Sequence, residues 1–175
     1  MEKYSEVIGL PVICAGNGKS LGTVKDIIFC PGTREVKALL LERKGLQVNN
    51  RVILIKDVSS FGKDAIMVEN CSCAVEMKKA GRNGALGAKG QVRGLKVYTK
   101  TGDNLGTVED VLFDYNTGLI EGLEISDGLM QDLIQGRKVI PLIGKVEFGS
   151  ENIIVDKDAV EEMVSTGGGL KKLLD

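Results

Sequence analysis

The chain has no histidine and no tryptophan. Histidine is the commonest general base and the commonest metal ligand, so its absence removes both at once. A Ser-His-Asp or Cys-His site is excluded within this chain. Aromatic residues are few, three Tyr and four Phe in 175 residues, so the core has to be built from Val, Ile and Leu. No apolar run approaches the ~20 residues that span a bilayer. The N-terminal stretch "MEKYSEVIGLPVICAG" carries two early acids and no continuous apolar segment, unlike a secretory leader. A cytoplasmic location without a membrane span is therefore expected, and with it four cysteines present as thiols, not as a disulfide framework. A phosphate-binding loop is missing too. "GNGKSLG" (16–22) lacks the G-x-x-x-x-G-K-[ST] spacing and leads into a strand where a helix is needed. It reads as a hairpin turn, and "GALGAKG" (84–90) fails the same test.

What is present is a repeat. "LGTVKDIIF" (21–29) returns 84 residues later as "LGTVEDVLF" (105–113), with six of nine positions identical. The likeness extends on both sides. "VIGLPV" (7–12) matches "VRGLKV" (92–97), and "EVKALLLE" (35–42) matches "LIEGLEIS" (119–126). "RVILIKDVSSFGKDAIMV" (51–68) parallels "KVIPLIGKVEFGSENIIV" (138–155). Self-similarity on this scale decides the architecture before anything else. The chain is two copies of one unit of roughly 75 residues. A unit that small buries only about 60% of its extended-chain surface.

Each copy reads as mainly β. Short segments rich in Val, Ile and Leu alternate with Gly, Asn, Asp and Pro clusters. In the second copy the pattern predicts strands near 95–99, 106–113, 119–125, 138–142 and 152–155. "TGDN" and "DYNTG" are turns between them. A short helix is expected to close each copy, "AVEMKKAG" (74–81) in the first and "AVEEMVSTG" (159–167) in the second. Asp158 is the expected N-cap of the latter, with Glu161 completing a capping box. The resulting division is a first repeat over 1–80, a Gly- and Lys-rich linker over 81–91, a second repeat over 92–166 and a Gly-rich tail over 167–175. The linker composition is that of a flexible segment.

The repeated "G-x-x-V-x-D" strand, its aliphatic hairpin partner and the closing "FGKDAIMV" and "FGSENIIV" segments together resemble the PRC-barrel domain. The signature falls on Gly22, Val24, Asp26 and Phe29 in one copy and on Gly106, Val108, Asp110 and Phe113 in the other. The resemblance implies a mainly β fold of two tandem small PRC-type β-barrels, each followed by a short helix. Relatives include the cytoplasmic domain of the photosynthetic reaction-centre H subunit and the C-terminal domain of the bacterial ribosome maturation factor. In those settings the barrel is an adaptor. The resemblance therefore implies a binding or scaffolding role and carries over no catalytic residue and no cofactor. Neither a membrane helix like that of the first relative nor an N-terminal domain like that of the second is expected, so neither specific function transfers.

Charge adds a second pattern. The net charge of −1 argues against bulk affinity for nucleic acid, but it conceals an asymmetry. Residues 1–90 hold 14 basic and 9 acidic side chains, net +5, and residues 91–175 hold 9 and 15, net −6. Halves of opposite sign attract, within a chain or between chains, so self-association is one expected contact. Against that frame three functional readings stand. The first is a non-enzymatic protein-protein interaction or scaffolding module, a bivalent adaptor whose partner the sequence leaves unnamed. The second is a ribosome- or RNA-associated assembly factor, with phosphate contacts from Lys78, Lys79, Arg82 and Lys89, though these lack interleaved aromatics for base stacking. The third is a thiol-based redox sensor through Cys71 and Cys73. Cys73 is expected at a helix N-terminus, where the dipole lowers a thiol's pKa. No metal site is expected: Cys71-Ser72-Cys73 has too short a spacer for a zinc knuckle. Asp26 and Asp110 hold equivalent places on packed strands. They are expected to accept hydrogen bonds from backbone N–H groups of a neighbouring turn.

Overall fold

A computed structural model describes residues 1–42, 51–82, 92–127 and 137–165. Two compact units emerge, residues 1–90 together with 113–119, and residues 91–112 together with 120–175. The expected tail lies outside the described residues, as does all of the expected linker beyond Arg82.

The first unit holds a short helix α1 (Tyr4–Val7) and strands β1 (Pro11–Cys14), β2 (Ser20–Cys30), β3 (Glu35–Glu42), β4 (Arg51–Leu54), β5 (Val58–Phe61), β6 (Ile66–Val68) and β7 (Val75–Glu76), then helix α2 (Met77–Arg82). They form one curled sheet in the order β5-β6-β1-β2-β3-β4-β7. Neighbouring strands pair antiparallel except β1 with β6, where Val12, Ile13 and Cys14 run parallel to Ile66, Met67 and Val68. The second unit holds β8 (Lys96–Thr99), β9 (Asn104–Phe113, whose last residue is counted with the first unit), β10 (Ile120–Ser126), β11 (Lys138–Pro141), β12 (Glu147–Phe148), β13 (Asn152–Val155), helix α3 (Lys157–Glu161) and β14 (Val164–Ser165). Its order, β12-β13-β8-β9-β10-β11-β14, repeats the first strand for strand, with β13 parallel to β8. Two tandem half-closed barrels are thus present.

The long strand explains why its alternation reads as unclean. Pairing of β2 with β3 shifts register between Val24 and Asp26 and again between Ile28 and Phe29. Bulges of this kind reset which face a side chain takes. Ile27, Ile28 and Phe29 are accordingly all buried in succession. The sheet is also covered on both faces. Leu39, Leu41 and Ile53 fill one side, while Ile28, Ala38, Leu40 and Val52 form a cluster on the other with Ala80 and Met77 of α2. A strand covered twice has to be a continuous apolar run, hence "ALLL" in β3. In the second unit Leu123 and Ile125 keep the inner positions. Gly122 and Glu124 stand where Ala38 and Leu40 stood, and buried Glu124 is paired with Arg137 at 3.0 Å.

Three local expectations are corrected. The segment 74–81 is not helical throughout: Val75 and Glu76 form β7 against β4, and the helix starts at Met77. Pairing with Arg51 and Val52 outweighs the weak helical propensity of a single turn. In the second unit Asp156, not Asp158, caps the helix, and its side chain accepts from Lys157 N–H. The short strand ends at Val155 and leaves Asp156 in extended geometry, which is the cap conformation. The third correction concerns the cysteines, which are not all thiols.

Candidate functional site

Three sequence-derived groups can be placed. The first is the repeated signature. Gly22 takes φ +146° and Gly106 φ +130°, and each passes against a backbone carbonyl of the next strand. Val24, Phe29, Val108 and Phe113 are buried core residues. Asp26 accepts the Ile27 N–H at 2.8 Å and the Tyr4 hydroxyl at 2.9 Å. Asp110 accepts the Val111 N–H at 2.9 Å. These donors are the adjacent strand residue in both copies and, in the first copy, a helix tyrosine. In the first copy the register shift beside Asp26 interrupts the ladder, and the carboxylate takes up the adjacent N–H. These two positions carry packing and hydrogen bonding.

The second group is the cysteine cluster. Cys14 closes β1 and is fully buried, and it forms a disulfide with Cys71, their Cα atoms 5.3 Å apart. The expected Cys71–Cys73 pair is therefore replaced by a Cys14–Cys71 bond. The physical reason is the parallel β1–β6 pairing, which sequence pattern did not reveal: it puts Cys14 beside Val68 and brings the chain three residues later back over Cys14. Cys73 is a free, half-buried thiol. It sits in a turn where its N–H donates to Asn70 O at 3.1 Å, four residues before the helix begins. Burial first, and then the charge of Asp57, push its thiol up, the reverse of the expected helix-terminus effect. Cys30, at the end of β2, is the other free cysteine. A hydrogen bond from the Thr33 side chain holds its thiol below the ordinary value.

The third group is basic. Lys78 and Lys79 are exposed on α2. The side chain of Arg82 and all of Lys89 lie outside the described residues. Within the first unit a shallow cavity of about 290 Å³ lies among Glu35, Lys37, Leu54, Ile55, Lys56 and Thr117. Its Lys37 ammonium is taken up by Glu35. Phe61, which sequence reasoning left aside, meets Phe113 edge-on at 6.1 Å and Tyr115 at 4.9 Å within the same unit. Among the described residues, no three His, Cys, Asp or Glu side chains are grouped to hold a metal. No helix among them is long and apolar enough to cross a membrane.

What differs between the copies is the surface. At aligned positions the cores agree, Val24 with Val108, Phe29 with Phe113 and Leu39 with Leu123, all buried. Two strand positions outside the core change sign, Lys25 against Glu109 and Lys37 against Glu121, with Lys25 and Glu121 exposed and Lys37 and Glu109 half-buried.

Comparison with known proteins agrees with this frame. The family model for the PRC-barrel domain matches residues 1–71 and again 90–162. An uncharacterized protein of Bacillus subtilis (strain 168), YrrD, is 29% identical over 153 residues, covering 86% of this chain and 85% of its own length.

Proposed function

The chain belongs to the PRC-barrel family, and on that premise we propose that it is a non-enzymatic bivalent adaptor, holding a protein partner through two like-folded barrels. The observation that carries the reading is the pairing of like cores with a change of sign at two strand positions outside them: Lys25 and Lys37 of one barrel align with Glu109 and Glu121 of the other. A fold kept for packing alone sets no sign on its exposed strand residues. Two surfaces of opposite sign in one chain suit a partner with complementary patches. Joining two weak contacts raises the effective concentration of the second.

The test is a tagged pull-down from the native host's lysate at low and high salt, read by mass spectrometry. Wild type is compared with Lys25→Glu/Lys37→Glu and with Glu109→Lys/Glu121→Lys. A stoichiometric protein recovered by wild type, and lost with either charge reversal, supports the adaptor. Ribosomal proteins and RNA recovered in a salt-sensitive manner would replace it with the assembly-factor reading. Unchanged recovery with both reversed proteins would refute the role given to these surfaces.

A further inference from the structure

The Cys14–Cys71 disulfide stands at a place where each barrel ties two chain segments together. In the first unit the bond joins the end of β1 to the segment that follows β6. In the second unit the equivalent strands, β8 and β13, are followed by Lys100 and Asp156, whose ion pair closes the same gap at 3.0 Å. One barrel uses a covalent tie that a reductant opens. The other uses an ionic tie that a reductant leaves alone.

The tied segment is a strap. Residues 69–74 leave β6, turn at Asn70, whose side chain accepts the Ser72 N–H at 2.9 Å, and deliver the chain to β7 and α2. Past the cysteines the strap is held by Arg51, whose guanidinium donates to Ala74 O, and by pairing of Val75 with Val52. Beyond it, Ala80 and Met77 cover the Ile28, Ala38, Leu40 and Val52 cluster. The two sulfurs differ in access. Cys14 is 0% exposed, whereas Cys71 is partly exposed.

We infer that the Cys14–Cys71 bond is a thiol-exchange site, entered at Cys71 Sγ by a small dithiol reductant, and that opening it loosens the strap, β7 and α2 over the first barrel only. The reductant's thiolate attacks Cys71 Sγ. The bond to Cys14 Sγ breaks, and Cys14 leaves as a thiolate that takes up a proton. The reductant's second thiolate then attacks the mixed disulfide, closes its own ring and releases Cys71. Two electrons pass from the reductant to the protein, and two protons end on Cys14 and Cys71. Attack at Cys71 follows from access, since nucleophile and sulfur have to meet in line. Cys73 takes no part: its thiol is half-buried, and burial disfavours its thiolate.

The experiment uses the full chain, oxidised and then incubated with dithiothreitol. Acid quenching and peptide mass spectrometry locate the bond and any trapped mixed disulfide, and hydrogen exchange follows the amides. The expected results are a Cys14–Cys71 peptide before reduction, a reductant adduct on Cys71, and exchange over 69–82 faster by about tenfold or more after reduction. Exchange over 92–127 and 137–162 stays as it was. Cys73→Ser behaves as wild type in every respect. Free Cys14 and Cys71 in the oxidised protein, an adduct on Cys14, loss of exchange in Cys73→Ser, or unaltered exchange over 69–82 after reduction would each overturn the inference.

Discussion

A β-carbon at Gly22 would lie 2.7 Å from the carbonyl oxygen of Glu42, and the backbone there is at φ +146°. Both facts require glycine, one by contact and one by conformation. Gly22→Ala should cost roughly 2–3 kcal/mol in urea unfolding, whereas Gly32→Ala, with open space around it, should stay within about 0.5 kcal/mol. The glycine was legible because it recurred at Gly106. The close carbonyl behind it was not, since it comes from the neighbouring strand. The thiols teach the same lesson. Composition alone placed all four cysteines in one class, yet their environments divide them. Cys30, held low by Thr33, should be alkylated by iodoacetamide at neutral pH well before Cys73, held high by burial. Thr33→Val should slow Cys30 and leave Cys73 as it was. Equal rates at both thiols would contradict this.

Elements show where local pattern yields to pairing. Strand positions followed from aliphatic runs and from doubled motifs. β7, by contrast, has only two residues, and its identity depends on β4 lying beside it. Periodicity cannot report a partner that is distant in sequence. Helix α2 matters through Ala80, which is 5% exposed and packed on an apolar cluster. Ala80→Glu places a charge against that surface and should destabilise the first unit by about 2 kcal/mol, seen as a lower urea midpoint. The ionic tie of the second unit carries a pH dependence of definite sign. Lys100 hydrogen-bonds to Asp156 and holds its carboxyl below the ordinary 3.8. A depressed carboxylate stabilises the folded form above its unfolded pKa, and that contribution is lost as pH falls through the lowered value. Protection of the amides around 152–157, taken relative to their intrinsic exchange rate at each pH, should therefore fall on acidification below pH about 4. The covalent tie at Cys14 should show no matching change.

For the whole molecule, duplication was the decisive sequence signal. It set the mainly β class, the two barrels and their family before any strand order was known, and the two sheets run in identical order. The fold's interior was legible because a buried position tolerates few residue types, so Val24 and Val108 or Leu39 and Leu123 match. The candidate functional surface was legible only as a charge imbalance between halves. Exposed residues such as Lys25 and Glu121 diverge freely, and no spacing rule names what they meet. The adaptor reading rests on both barrels engaging at once. Its most direct test is a titration of the purified partner against wild type and the two charge-reversed proteins. Bivalent engagement predicts that either reversal weakens apparent affinity by about 100-fold, the lower end of the gain from linking two sites. An affinity within about twofold of wild type for either reversal would show that one barrel suffices, and would contradict the account.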